Sequence, residues 1–205
     1  MLARTSSVWI MSDLLTKHAL ERLDAAMQAG RVPTAWGRLK PGIPTSRVRA
    51  ALASHGLPDS PELETLYEWH DGTGSGCGVL LEDMWLLPGF YLLSLDEAVA
   101  NYAAFTSDRR WKPGWFPVFA DGGGDFYLID FSNAPYRVVR HFRLEEVEHP
   151  IEYGSLAAML DTFAAAFESG AIFVDATGYV DVNDEAFDSI AARLNPDTPW
   201  WTDPV

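Results

Sequence analysis

Three aspartates around three consecutive glycines are the residues of this chain best placed to do chemistry. They lie in the stretch Trp111–Phe131, WKPGWFPVFADGGGDFYLIDF, as Asp121, Gly122, Gly123, Gly124, Asp125 and, five residues on, Asp130. Carboxylates gathered by a sharp turn suit a hard cation or general acid–base work. A cation needs several converging oxygen ligands, and this tip supplies too few. The calcium-loop pattern D-x-[DN]-x-[DN]-G with a later glutamate is missing too. The other reading is a glycine-rich turn in which Asp125 bonds local backbone amides. His18, His55, His70, His141 and His149 show no metal spacing, no G-x-S-x-G elbow is present, and no serine stands in a nucleophile context. Cys77, the single cysteine, sits between two glycines with no His or second Cys at ligand spacing. From these residues no catalytic group, metal or cofactor is expected.

The elements around the turn follow from periodicity and punctuation. Phe116–Ala120 and Phe126–Phe131 read as two buried strands reversing at the glycines. Upstream, Ser12 suits the cap of a helix from Asp13 to about Gln28, with Leu20, Leu23 and Met27 on one face and Gly30 past its end. A Pro-rich connector, Arg31–Thr45, leads to a short helix Ser46–His55. Ser60 and Pro61 open another helix, with Leu63, Leu66, Tyr67 and His70 on one face and Asp71-Gly72 as its stop. The loop Gly72–Gly78 is not a phosphate loop, because it lacks both Gly-Lys-Ser/Thr and G-x-G-x-x-G. Val79–Leu81 and Met84–Leu87 read as short strands, and Pro88-Gly89 as a turn. Ser94 and Glu97 form a capping box. Arg137–Phe142 reads as a strand, and Ser155 caps a helix from Leu156 to about Glu168 that Gly170 ends. Ile172–Val174 adds a strand. Phe187, Ile190, Ala191 and Leu194 mark a last helix, and Pro199-Trp200-Trp201 is expected to dock back onto the chain's own core.

With 205 residues, 48% of them apolar, and 8 Trp, the chain has ample material for a core. Its net charge of −14 is unevenly spread: residues 1–58 carry +5, the middle −7 and residues 144–205 −12. Such a balance excludes nucleic acid as a main partner, since phosphate contacts need a basic surface. It suits either a basic protein partner or a solvated acidic face. No run reaches the roughly 18 apolar residues of a membrane span. The apolar patch Val8–Met11 is too short for a signal-peptide core. A cytoplasmic protein without a membrane segment is expected. Trp111, between Arg109-Arg110 and Lys112-Pro113-Gly114, is in a loop-like context and is expected to be an exposed protein contact.

Four stretches, in one order, resemble the SUKH superfamily, which includes the Smi/Knr-type cell-wall assembly regulators. Leu66–Gly72 is similar to the family helix that closes on W-x-N-G, with Asp71 where Asn is usual. Leu87-Pro88-Gly89 and Leu92–Ala98 are similar to F-P-G … L-S-L-E-E-A. Trp115-Phe116-Pro117-Val118, continuing through Asp121–Asp125 to Asp130, is similar to W-x-P-I … D-G-G-G-D … D. Tyr153–Leu156 with Leu160 is similar to S-F-x-x-F-L. The resemblance implies a single α+β domain over residues 45–175, a mixed or antiparallel sheet with helices packed around it. A helix and connector (1–44) would precede it and a helical Pro/Trp extension (176–205) would follow. It also implies a non-enzymatic binding role. Many bacterial members are immunity proteins that neutralise a toxin, often a nuclease or deaminase, and others are regulators or scaffolds. Glu145, Glu146, Glu148, Glu152 and Trp111 are then the expected contacts for a basic nuclease-type toxin. Asp71, Gly72, Pro88, Gly89, Trp115, Pro117, Asp121, Gly122, Gly123, Gly124, Asp125 and Asp130 become architectural. Two alternatives stay open: an intracellular regulator or scaffold, and a small-molecule or carbohydrate-handling enzyme using Asp121 and Asp125.

Overall fold

Short buried strands and amphipathic helices in alternation need a sheet covered by helices, and the chain builds one. A computed structural model describes residues 2–29, 31–133 and 137–202. In order the elements are α1 (Leu2–Ala29), β1 (Leu39–Pro41), α2 (Thr45–Ser54), α3 (Pro61–Trp69), β2 (His70–Thr73), β3 (Tyr91–Leu92), α4 (Leu95–Phe105), β4 (Trp115–Ala120) and β5 (Phe126–Asp130). There follow β6 (Val138–Phe142), β7 (Ile151–Tyr153), α5 (Leu156–Ser169), β8 (Ile172–Val174), β9 (Val180–Val182), α6 (Asp184–Leu194) and α7 (Pro199–Thr202). The fold is α+β. Strands β3-β4-β5-β6-β7 form one sheet in chain order, β1-β2 and β8-β9 form two ribbons, and every pairing is antiparallel. All residues of β4 and β5 are buried. That explains their unbroken apolar runs, since a strand covered on both faces has no polar side to show. Leu20, Leu23 and Met27 of α1 share one core with Leu156, Met159, Leu160 and Phe163 of α5.

The aspartates and glycines of the stretches singled out above hold this frame together. Asp121 Oδ1 accepts the backbone N–H groups of Gly123, Gly124 and Asp125 at 2.8, 2.9 and 2.8 Å. Gly122 and Gly124 take φ of +87° and +115°, which side chains disfavour. Asp125, expected to bond local amides, instead accepts the N–H of Leu144 at 2.8 Å, because Asp121 already occupies the amides of the turn. Asp71 Oδ1 accepts the Leu95 N–H at 2.8 Å, one residue past the Ser94/Glu97 capping box that opens α4. Gly72 has a reason of its own: a Cβ there would stand 2.3 Å from the Ser94 nitrogen. Pro88 and Gly89 make a tight turn, with Phe90 N–H donating to Leu87 O at 2.9 Å and Gly89 at φ +76°. Pro117 sits at the bulge of β4, a sheet position that tolerates a missing N–H.

Several expectations need correcting. α1 starts at Leu2, so Ser12 lies inside it and caps nothing; no Gly or Pro interrupts Leu2–Met11. Ser12 serves Glu62 instead: burial pushes that carboxyl up, and the Ser12 hydrogen bond only partly offsets it. Gly30 lies outside the described residues. His70 leaves the helix and begins β2, its Nδ1 2.8 Å from Lys40 O. Val79–Leu81 and Met84–Leu87 are not strands. The Asp83 carboxylate takes the Leu80 N–H at 2.9 Å and bends the segment into a 3-10 turn, Glu82–Met84. Only Leu87 bridges, to Phe90. Of the two C-terminal tryptophans Trp201 docks as expected, packing on Tyr153 and Phe187 and donating its ring N–H to Glu152 O, while Trp200 stays exposed.

Asp130 closes the far end of β5. Its Oδ2 accepts Arg140 Nε at 2.6 Å and its Oδ1 the Ser132 N–H at 2.8 Å. Burial raises its pKa, but the hydrogen bonds from Ser132 and Arg140 and the Arg140 charge outweigh it and hold the carboxyl below its ordinary value.

Two outcomes are expected. Gly124→Ala combines a forbidden φ with a Cβ 2.7 Å from Leu144 Cδ2 and should lower unfolding free energy by about 1–3 kcal/mol. A urea midpoint equal to wild type would show that the tip yields freely. Asp130→Asn leaves Arg140 without its counter-charge and should cost about 2 kcal/mol at pH 7. The wild-type contribution is complete above the ordinary value of 3.8 and fades as pH falls through the lowered folded value. The two proteins should therefore converge in strong acid.

Candidate functional site

The connection between β6 and β7 carries the acidic run. Its base is tied at both ends. Leu144 gives its N–H to Asp125 and receives a hydrogen bond from Arg110 Nη1 on its carbonyl. His149 accepts the Arg143 N–H on Nδ1 at 3.3 Å and takes Arg140 Nη1 on its carbonyl at 3.0 Å. The His149 ring stacks on Phe142, centroids 4.3 Å apart. Between these ties Glu145, Glu146 and Glu148 are exposed, and Val147 stands among them 84% exposed.

Two expected contact residues are not on this surface. Glu152 is 2% exposed. It lies on β7 with its side chain inward, Oε1 3.0 Å from His141 Nδ1 and 3.4 Å from Arg143 Nη2, while Oε2 accepts the Tyr127 hydroxyl at 3.1 Å. A carboxylate this enclosed needs such partners. Trp111 is 5% exposed. Asp108 turns the loop, accepting the Trp111 N–H on its carbonyl at 3.1 Å, and the indole enters the core against Phe105, Trp115, Phe126 and Phe142. What remains outside is Arg109 and Lys112, both exposed. The sequence shows none of the ties made by Arg110 and His149, because their partners are up to 34 residues away. The only legible hint is the clustering of Arg109, Arg110 and Lys112.

The hairpin tip borders a shallow cavity of about 490 Å³, lined by Trp85, Phe90, His141, Asp121 and Asp125 among others. Both aspartates there commit Oδ1 to backbone amides. Among the described residues no three His, Cys, Asp or Glu side chains converge as metal ligands.

A sequence model of the SMI1 / KNR4 family (SUKH-1) matches residues 47–166, more than half of the chain. The match runs from α2 into α5 and takes in the hairpin, the acidic loop and the residues that tie it. No curated protein matches the chain.

The His149 ring is held in its neutral form. Burial lowers its pKa from 6.5, and the charges of Arg110 and Arg140 lower it further against the opposing pull of Asp108. Protonation would remove the Nδ1 acceptor that Arg143 uses. The unfolded chain binds this proton first, so stability should fall as pH drops below 6.5 toward the lowered folded value. Urea unfolding at stepped pH should show this slope in wild type and its loss in His149→Gln. Equal slopes would remove His149 as the titrating tie.

Proposed function

The chain belongs to the SMI1 / KNR4 family (SUKH-1), whose domains are generally protein-interaction modules, and on that footing we propose that it is an immunity protein. In this reading it binds and neutralises a basic, nuclease-type toxin in the cytoplasm, without catalysis. The observation that carries the reading is the tied loop with Glu145, Glu146 and Glu148 around an exposed Val147. A protein interface needs apolar anchors inside a polar rim, and this loop offers both on one turn. Arg143, at its base, lies 5.0 Å over the exposed Trp200 ring, which adds an aromatic to the same edge. The net charge of −14 draws a basic partner from a distance. A stable complex covers on the order of 1,600 Å², so the loop is its centre and not its whole extent. Residues 45–175 would form the binding module, with 1–44 and 176–205 as additions to it.

The carboxylates that an enzyme would use do not favour that alternative. Asp121 and Asp125 each spend Oδ1 on backbone amides that hold the hairpin and the loop after β6, which is a structural duty. No helix among the described residues is long and apolar enough to cross a membrane.

The test is co-purification with the product of the adjacent gene, followed by association kinetics of Glu145→Lys/Glu146→Lys/Glu148→Lys. All three positions are exposed, so the fold should persist. The association rate should fall about tenfold or more at low salt and recover toward wild type at high salt. An unchanged rate would remove the loop mechanism. Several unrelated partners and no toxin would favour the regulator or scaffold.

A further inference from the structure

Beside the acidic loop lies a cavity of about 440 Å³ with the opposite character. Arg109, Arg110, Lys112, Trp115, Arg140 and His149 line it, and Glu148 is its only acid. Arg110 is paired with Asp108 at 2.7 Å and Arg140 with Asp130 at 2.6 Å. Arg109 and Lys112 are exposed and make no ion pair among the described residues. Lys112 Nζ and the Arg140 guanidinium each lie 5.5 Å from the Trp115 ring centroid. In a chain of net charge −14, this gathers cations on one wall while most acids lie elsewhere.

The rings on that wall have unmet donors. Trp115 is 2% exposed and His149 8%. Their Nε1 and Nε2 atoms are buried without a hydrogen-bond partner. Trp115 Nε1 is a donor by its chemistry. His149 Nδ1 accepts the Arg143 N–H, so the neutral ring carries its proton on Nε2, which is a donor as well. Glu148 apart, the guanidinium, ammonium and unpaired ring N–H groups of that wall donate and do not accept. The complement of such a wall is a ligand that only accepts.

We propose that this cavity binds one small oxyanion, a phosphate or a carboxylate. Arg109 and Lys112 supply the uncompensated charge at the mouth. Arg110 and Arg140, held by Asp108 and Asp130, set fixed donors behind them. Trp115 and His149 add to the lining two rings whose N–H groups have no hydrogen-bond partner. Glu148 at the edge limits the charge the site accepts and favours one oxyanion over a polyanion. The site lies next to the proposed toxin-binding loop but does not depend on that role.

The test uses the full chain and inorganic phosphate as the probe, with sodium acetate as a second arm and sodium chloride at matched ionic strength as control. The His149 ring resonance is followed by NMR during each titration. Binding should give a saturable shift and should raise the His149 pKa, because an anion near the ring favours the imidazolium. The titrating and charged groups around that ring are Asp108, Arg110, Arg140 and His141. Arg109→Ala/Lys112→Ala, with both side chains exposed, should keep the wild-type circular dichroism and weaken binding about tenfold. Saturation by phosphate alone assigns a phosphate-bearing ligand, and saturation by acetate alone a carboxylate. No saturable shift with either anion, the same shift with chloride, or undiminished binding in the double variant would overturn the proposal.

Discussion

Asp121 turns one carboxylate oxygen onto three successive amides, and the strand pair β4–β5 closes behind it. A turn of three glycines is conformationally loose in an unfolded chain and costs more to order than any other. The carboxylate answers that cost by satisfying the amides that the turn leaves unpaired. With the turn closed, β5 is set in register and β6 pairs along its whole length. Asp125, at the other end of the turn, then reaches Leu144 and fixes where the chain leaves β6. The acidic loop is thus positioned by two aspartates roughly twenty residues before it.

The same economy recurs at other turns of the chain. Asp71 holds the first amide of α4, Ser94 and Glu97 cap that helix reciprocally, and Asp130 neutralises Arg140 behind Trp115. Each acid meets either backbone amides or a guanidinium, so the acids with architectural duty are spent inside. Glu145, Glu146 and Glu148 lie on exposed surface instead, and this separates two roles that carboxylates have in this protein. Charge at Glu145, Glu146 and Glu148 is available to a partner because the frame does not need it. Directly beside them the Arg109–Lys112 turn and Arg140 present the opposite sign, so this edge of the molecule is dipolar and not uniformly acidic.

Much of the frame was legible where the controlling interaction is short in sequence. The caps at Ser60, Ser94 and Ser155 act over three residues and stand where the residues indicate. The strands flanking the glycines, the helix after Ser155 and its left-handed Gly170 follow from local periodicity and backbone freedom. Failures have an equally physical cause. Ser12 looks like a cap, but nothing before it stops a helix. Val79–Leu87 has the apolar content of strands, but Asp83 bends it and it finds no strand partner beyond one bridge. His70 keeps helical spacing with Leu63 and Leu66, yet pairing with β1 takes it into a strand.

The chain's own residues determined the capped helices, the hairpin and the placement of its glycines, because those depend on φ preferences and on hydrogen bonds a few residues long, whereas Asp71 and Asp125 bond amides 24 and 19 residues away, which only packing brings to them. Tertiary structure alone decided which polar and aromatic side chains face water. Trp111 sits in a polar loop sequence and is buried, because that loop folds back against Phe105 and Phe142. Glu152 belongs to an acidic run and is enclosed, because β7 pairs with β6 and turns it toward His141 and Tyr127. The cation-lined cavity draws on Arg109 and on His149, forty residues apart. No local rule links them, because burial and charge proximity are set by the packing of elements distant along the chain.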